Sequence, residues 1–340
     1  MHRDFVAPTP NISKKSLLIT GGTGSFGRAF VAKVLSDFAP RKLIVFSRDE
    51  LKQSEMMLEF PPSKYPCIRY FLGDVRDLER LKMAVRDVDY IIHAAALKQV
   101  PAAEYNPMEC IKTNVIGAEN IAMAALESGV SKVLALSTDK AANPINLYGA
   151  SKLAADKIFI AANSLSGAQK TIFSVVRYGN VIGSRGSFIP IVKALANDNS
   201  NTIPVTDTRM TRFWISLTQG ISFVLSSLNM MRGGEIFVPK IPSMKVVEVA
   251  KTIAPNLDIK VTGIRPGEKL HETLITSDDA RNTFELEDRF IINSEFINND
   301  HKAKRFDQLS PVSENFCYSS DSNEEWLSSE KLLDLVKSCE

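Results

Sequence analysis

Within this 340-residue chain the stretch richest in usable chemistry is Ser137–Lys152, "STDKAANPINLYGASK". Tyr148 and Lys152 stand four residues apart, so a helix puts them on one face. An ammonium beside a phenol favours the phenolate and lowers a pKa that is otherwise about 10, which would make Tyr148 a base for a sugar or alcohol hydroxyl. Thr138 can bond the same oxygen. Oxidising an alcohol needs only that base and a hydride acceptor, yet Asp139 and Lys140 add two ionisable groups just upstream. They point to a second chemical step. Without further context the pair would read as a helix cap beside a surface lysine.

The hydride acceptor has its own signature. The apolar run "SLLIT" leads directly into "GGTGSFGRAFVAKVL", where Gly21, Gly24 and Gly27 recur every three residues and open a helix. Glycines there permit a tight turn and close approach of backbone to a pyrophosphate, whose charge the helix N-terminus stabilises. Thr23, Ser25 and Phe26 fill the turn. Strand, glycines and helix in that order identify a dinucleotide site. The second strand-like run ends in "FSRDELKQ", where a lone acidic residue would hold the ribose of NAD; Ser47, Arg48 and Lys52 instead suit a 2′-phosphate, so NADP is expected. Asp49, Glu50 and Leu51 share that segment and are assigned to the cofactor site, although Asp49 or Glu50 can equally cap the following helix. Asp74 in "LGDVRD", followed by Val75, is placed either to bond the adenine edge or to cap a helix.

These residues need a scaffold. From Ser16 to Gly183, six short β-branched runs ("SLLIT", "KLIVFSR", "IRYFLGD", "YIIHAAA", "KVLALST", "TIFSVVRYGNVIG") alternate with helical pattern, best seen over Met108–Ser128 and Leu147–Ser164. That alternation predicts an α/β fold, a doubly wound parallel sheet of Rossmann type. Residues 15–183 form the expected NADP-binding domain. Residues 184–296, with shorter strands and more loops, form a smaller substrate lobe, from which a segment such as 235–240 returns to the sheet. Residues 1–14 read as a mobile tail and 297–340 as a polar extension ending in an amphipathic segment for packing or subunit contact.

Composition excludes other classes. Forty-one basic against 39 acidic residues leave a net charge of +2, giving no field for nucleic acid and no acidic block for disorder. A small molecule is the expected partner. Cys67, Cys110, Cys317 and Cys339 are scattered, which disfavours a disulfide framework or zinc site, and no metal is expected. No signal peptide or membrane-spanning run is present, so the expected location is cytoplasmic. His93 and His271 lack metal-ligand spacing and read as structural, and Phe213 and Trp214 as core.

The combination of the glycine turn with Thr138, Tyr148 and Lys152 resembles the extended short-chain dehydrogenase/reductase superfamily, which acts mostly on nucleotide sugars. Within it the sequence is similar to the inverting UDP-N-acetylglucosamine 4,6-dehydratases that begin pseudaminic acid synthesis. The likeness runs from about Lys15 to the final helix through "GGTGSFG", "FSRDELKQSE", "GDVRDLERL", "HAAALKQVPAAEYNP", "RYGNVIGSRGS", "TDTRMTRFWI", "GGEIFVPKIPSMK" and "GIRPGEKLHE". Epimerases of the superfamily carry small residues at the Asp139-Lys140 position, and retaining dehydratases carry an Asp-Glu pair.

The resemblance implies a hydro-lyase reaction. Oxidation at C4 acidifies the C5 proton, water leaves from C6, and the stored hydride returns to C6 as C5 is reprotonated with inversion. Lys140 then serves C5 proton transfer, provided that burial or positive neighbours lower its pKa, and Asp139 is its partner or the acid at O6. Lys152 supports the cofactor and Tyr148; Ala94 and Val181 join the cofactor site, Val181 beside the nicotinamide. Lys98, Asn180, Thr206, Arg265 and Glu268 are implied substrate contacts, with Arg265 suited to a diphosphate. A homo-oligomer, by resemblance a hexamer, is also implied. The rival readings are a UDP-sugar 4-epimerase or reductase on the same fold, and an NADP-binding sensor without turnover.

Overall fold

The computed structural model describes residues 3–167, 170–198, 200–293 and 309–338. Its strands are β1 (Ser16–Thr20), β2 (Lys42–Ser47), β3 (Ile68–Leu72), β4 (Tyr90–His93), β5 (Lys132–Thr138), β6 (Ile172–Tyr178), β7 (Asn180–Val181), β8 (Thr202–Val205), β9 (Thr211–Ile215), β10 (Glu235–Pro239), β11 (Ser243–Lys245), β12 (Asp258–Val261), β13 (Thr273–Ile275), β14 (Thr283–Glu285), β15 (Arg289–Asn293), β16 (Ser310–Pro311) and β17 (Tyr318–Ser319). The central sheet has the order β16-β14-β15-β10-β6-β5-β4-β1-β2-β3. From β3 through β10 every pairing is parallel. The run β3-β2-β1-β4-β5-β6 is the doubly wound dinucleotide-binding order, whose crevice opens where the order reverses between β1 and β4.

Local chemistry explains the elements. Strand β1 is buried along its whole length and β5 over its middle, as strands covered on both faces must be. Asp49 caps the helix Glu50–Glu59, Asp77 caps Leu78–Ala84 and Asn146 caps Leu147–Ala162, each accepting a backbone N–H of the first turn. Ser216 and Gln219 form a capping box on Leu217–Met230.

Three segments differ from expectation. The helical run Met108–Ser128 is divided: helix Pro107–Ile111 passes through a π-helical turn, Lys112–Ile116, into Gly117–Ser128. Asn114 in that turn is buried, and its side chain bonds both the N–H (2.8 Å) and the carbonyl (3.0 Å) of Leu97. The N-terminal segment is packed rather than mobile. Phe5 meets Phe223 with ring centroids 5.1 Å apart, Ile12 is wholly buried, and Arg3 pairs with Glu325 at 2.6 Å. Burying each of those two apolar side chains is worth roughly 1.5–3 kcal/mol. Beyond β10, the chain also gives more to the central sheet than a separate lobe would. β14, β15 and β16 extend it antiparallel, while β17 pairs with β13 and the helix Ser329–Lys337 shares a small core with Trp214, Met244 and Val249.

Candidate active site

A cleft of about 700 Å³ lies over the C-terminal ends of the parallel strands. Its floor is the turn after β1. Gly21 has φ +64°, and a Cβ there would meet the backbone nitrogen of Ala95 at 2.9 Å, while one on Gly27 would collide with Gly22. Only glycines let strand, turn and helix close up this tightly, which leaves the N-terminus of helix Ser25–Asp37 open to the cleft, as a dinucleotide pyrophosphate requires. Thr23 Oγ1 and Ser47 Oγ are 2.9 Å apart, tying the turn to β2. Ser25 Oγ accepts from the Arg185 N–H at 3.1 Å, which brings the 184–188 loop over the turn.

At the end of β2, Ser47, Arg48, Asp49 and Lys52 line the cleft, but Glu50 and Leu51 do not; Leu51 is 70% exposed. Asp49 is occupied twice, accepting from the Lys52 N–H at 3.0 Å and from Lys52 Nζ at 2.6 Å. Those bonds hold its carboxyl below the usual range. Arg48 is half exposed with its guanidinium 3.6 Å from Asp74, a cation facing the cleft mouth. Asp74 is not a helix cap, since Asp77 fills that role; its carboxylate accepts from Arg76 and it lines the cleft with Val75. Phe26, Ala94 and Val181 line it as well.

Thr138 ends β5, and Asp139–Ala141 form a 3-10 turn leading to the helix that carries Tyr148 and Lys152. Thr138 Oγ1 donates to Asp139 Oδ1 at 2.8 Å. Lys140 Nζ lies 3.1 Å from Asp139 Oδ1 and 3.1 Å from Glu272 Oε1. Asp139 and Glu272 are both buried. One helical turn beyond Lys152 comes buried Asp156, which accepts from Ser137 Oγ at 2.8 Å and faces Arg177 at 3.5 Å.

These surroundings correct two expectations about protonation. Tyr148 was expected below its ordinary pKa; burial instead pushes it up to about 12, only partly opposed by the Lys140 charge and the Thr138 hydroxyl. Lys140 was expected to be lowered. Burial does act that way, but the Asp139 and Glu272 carboxylates outweigh it and hold Lys140 above the usual lysine range, as an ammonium. Lys152 does shift downward, by burial against the pull of Asp156.

The implied substrate contacts separate into two groups. Lys98 and Asn180 line the cleft, Lys98 Nζ donating to the Arg185 carbonyl at 3.2 Å. Thr206 is buried with its hydroxyl on Met210 Sδ, away from the cleft lining. Arg265 and Glu268 sit outside that lining too, on the segment after β12, where Glu268 accepts from the Arg265 N–H at 3.3 Å. This segment is anchored beside the Asp139–Ala141 turn: Asn146 donates to the Gly267 carbonyl at 2.7 Å and Lys269 Nζ to the Ala142 carbonyl at 2.6 Å. His93 is structural, with Nδ1 2.9 Å from Thr20 Oγ1 and its pKa lowered by burial to about 3; His271 stands 2.8 Å from Thr211 Oγ1. Among the described residues no cluster could hold a metal, and no helix is long and apolar enough to cross a membrane.

Sequence reading, which offered Arg209 or Arg212 in "RMTRFW" as further candidate contacts, missed Glu272, Asp156 and Arg177. The signal for Glu272 was its position: a carboxylate ending "GIRPGEKLHE" and immediately preceding the apolar run "TLI".

The profile of the polysaccharide biosynthesis protein family matches residues 17–294. A UDP-N-acetylglucosamine 4,6-dehydratase (inverting) of Campylobacter jejuni is 54% identical over 96% of this chain and 99% of its own. The chain belongs to this family. A family relative named UDP-glucose 4-epimerase, from Rickettsia bellii, is 42% identical over 80% of this chain and 81% of its own. The solved structure of Pen from Bacillus thuringiensis superposes with a TM-score of 0.88 at 35% identity, covering 97% of this chain and 99% of that one. DesIV, a dTDP-glucose 4,6-dehydratase of Streptomyces venezuelae solved with NAD, shares the fold at a TM-score of 0.64 and 23% identity over 75% of this chain and 86% of its own. The glycine turn here follows β1 of the same kind of large, mostly parallel sheet that these structures share.

Proposed function

We propose that the protein is an NADP-dependent hydro-lyase that converts UDP-N-acetylglucosamine to a UDP-4-keto-6-deoxy sugar with inversion at C5, the opening step toward pseudaminic acid. The observation that carries this reading is Lys140 Nζ held between Asp139 and Glu272 in the same cleft as Tyr148 and the glycine turn. Epimerisation at C4 needs Tyr148 and Lys152 but no second acid–base group at this position. A sensor would need neither set.

The glycine turn would hold the pyrophosphate, and Arg48 with Ser47 the 2′-phosphate. When bound, NADP supplies hydride acceptance at C4 and hydride return at C6. Tyr148 receives the 4-hydroxyl proton with Thr138 beside it, and the positive charge of Lys140 favours the phenolate that this requires. The ketone makes the C5 proton acidic; Lys140 moves that proton and Asp139 assists the departing 6-hydroxyl. Lys98 and Asn180 contact the sugar nucleotide, with Thr206, Arg265 and Glu268 reaching it only through a change of the neighbouring segments. A cytoplasmic homo-oligomer, of hexameric order, completes the reading; the exposed Tyr105, Met108, Ile116 and Met123 supply apolar surface for subunit contact.

The test is incubation with UDP-N-acetylglucosamine and NADP in deuterated water, followed by NMR. The expected product has a C6 methyl, a 4-keto or hydrated carbon and deuterium at C5. Formation of the galacto epimer without a methyl group would refute the dehydratase reading in favour of the epimerase.

A further inference from the structure

Resting on that reading, a difficulty concerns the base itself. Lys140 is an ammonium in this site, and an ammonium cannot remove a proton from C5. Its proton has to leave first, from a position closed to water on most sides. The groups facing Nζ are Asp139 on its own turn, Glu272 ahead of β13, and the guanidinium of Arg212 on β9; Lys269, from the preceding loop, faces the same carboxylates, and Tyr148 stands on the adjoining helix.

Each carboxylate keeps one buried oxygen with no hydrogen-bond partner among the described residues, Asp139 Oδ2 and Glu272 Oε2, and the two differ at the other oxygen. Asp139 Oδ1 already accepts from the Thr138 hydroxyl as well as from Lys140. Glu272 Oε1 faces Lys140 at 3.1 Å and Arg212 Nε at 3.6 Å, and its Oε2 is buried with no hydrogen-bond partner among the described residues. The Glu272 side chain is 2% exposed. Leaving water costs a carboxylate several kcal/mol, so a buried one with an unused oxygen is poor scaffolding. Its backbone, by contrast, is held firmly. The Glu272 N–H donates to Ser320 Oγ at 2.9 Å and its carbonyl accepts from the Ser320 N–H at 2.8 Å.

We propose that Glu272 is the positioning residue of C5 proton transfer, fixing Nζ of Lys140 jointly with Asp139 and accepting the proton that Lys140 must release to become the base. In that step an N–H bond of the ammonium breaks and an O–H bond forms on the Glu272 carboxyl, leaving a neutral amine and a neutral acid. The pair is neutral before and after. No charge has to leave the buried site, and the proton is available for return.

Glu272→Gln tests this with little change of volume. Wild-type turnover under the same conditions establishes the proposed function separately, so a wild type without product would fail that reading and not this one. The variant is expected to keep C4 oxidation, seen as accumulating reduced nicotinamide absorbance, while C5 deuterium incorporation falls at least about 10²-fold, the scale of a lost acid–base group. Loss of the carboxylate also lowers the Lys140 pKa, so its proton can be given up to bulk water. C5 exchange in Glu272→Gln is therefore expected to climb with pH, by about tenfold per unit, where the wild type is flat. Glu272→Asp, which retains the charge but withdraws it, should restore part of the exchange and the flat profile. Wild-type exchange with an unchanged pH profile in Glu272→Gln would overturn the proposal, as would parallel loss of C4 oxidation and melting temperature. Should Glu272→Gln not fold, Glu272→Asp decides: reduced exchange with retained C4 oxidation supports the proposal, and unaltered exchange overturns it.

Discussion

Replacing Gly149 by alanine asks whether the acid–base turn and the tyrosine helix act as one rigid body. Gly149 follows Tyr148 directly, and a Cβ there would fall inside contact distance of the Lys140 carbonyl oxygen and 3.1 Å from both its carbonyl carbon and Pro144 Cβ. Well-packed carbons stand about 3.5–4.0 Å apart, so the Asp139–Ala141 turn would have to retreat by roughly 0.5–1 Å. Misplacement of that order costs about 10²-fold in rate. Overpacking would also remove about 1–3 kcal/mol of stability, at about 2–4 °C of melting temperature per kcal/mol. Gly220→Ala is the control: it lies in the helix Leu217–Met230, and among the described residues nothing beyond its chain neighbours and the helix's own backbone comes within 4 Å of its added Cβ, and alanine there is favoured by about 0.5–1 kcal/mol. The assay is methyl formation by NMR beside thermal melting and NADP titration. Gly149→Ala should turn over about 10²-fold more slowly while binding NADP normally, because the glycine turn is untouched. Wild-type turnover in Gly149→Ala would refute the argument that the Lys140 backbone is wedged against this helix.

Three further outcomes follow from the same geometry. Lys140→Ala should abolish C5 exchange and still let some reduced cofactor appear; full dehydratase turnover would remove Lys140 from the reaction. Arg48→Ala should raise the KM for NADP about tenfold, the worth of a charge-assisted hydrogen bond of about 1.4 kcal/mol, and leave that for NAD unchanged, measured by steady-state kinetics with each cofactor. His93 is held neutral in the fold, with a pKa lowered by burial to about 3, whereas the unfolded residue titrates near 6.5. The unfolded chain therefore binds the extra proton first, and stability should be full above about pH 6.5 and fall as the pH drops toward 3, by on the order of 4–5 kcal/mol in all. His93→Asn, able to keep a bond to Thr20, should flatten the decline in melting temperature between pH 6.5 and 4; an unchanged slope would place the acid sensitivity elsewhere.

Features written within a few residues were legible in the sequence. The Gly21–Gly27 turn is one, since a strand, three glycines and a helix in succession have few other uses, and the i, i+4 spacing of Tyr148 and Lys152 is another. Protonation states were not legible, because they depend on neighbours remote in the chain. Lys140 looked ready to be depressed by burial and Lys152, but the adjacent Asp139 together with Glu272, far along the chain and 3.1 Å away, reverses the direction. The break in Met108–Ser128 was hidden because its cause, Asn114 bonding Leu97, is a tertiary contact overriding helical pattern. Phe5 and Ile12 were isolated apolar residues in a polar stretch, with no periodicity to announce that both are core. Thr206, Arg265 and Glu268 came from resemblance alone, and none of the three is among the residues that line the cleft.

The pairing of β17 with β13 also ties the segment after residue 309 to the edge of the cleft. Ser320 clasps the backbone of Glu272 and stands 2.7 Å from Thr211 Oγ1, so a residue of the C-terminal segment seats a carboxylate beside Lys140. The family match ends at residue 294, ahead of this clasp. The cleft lining thus draws on residues 21 to 217, while the seat of Glu272 is supplied from 48 positions beyond it.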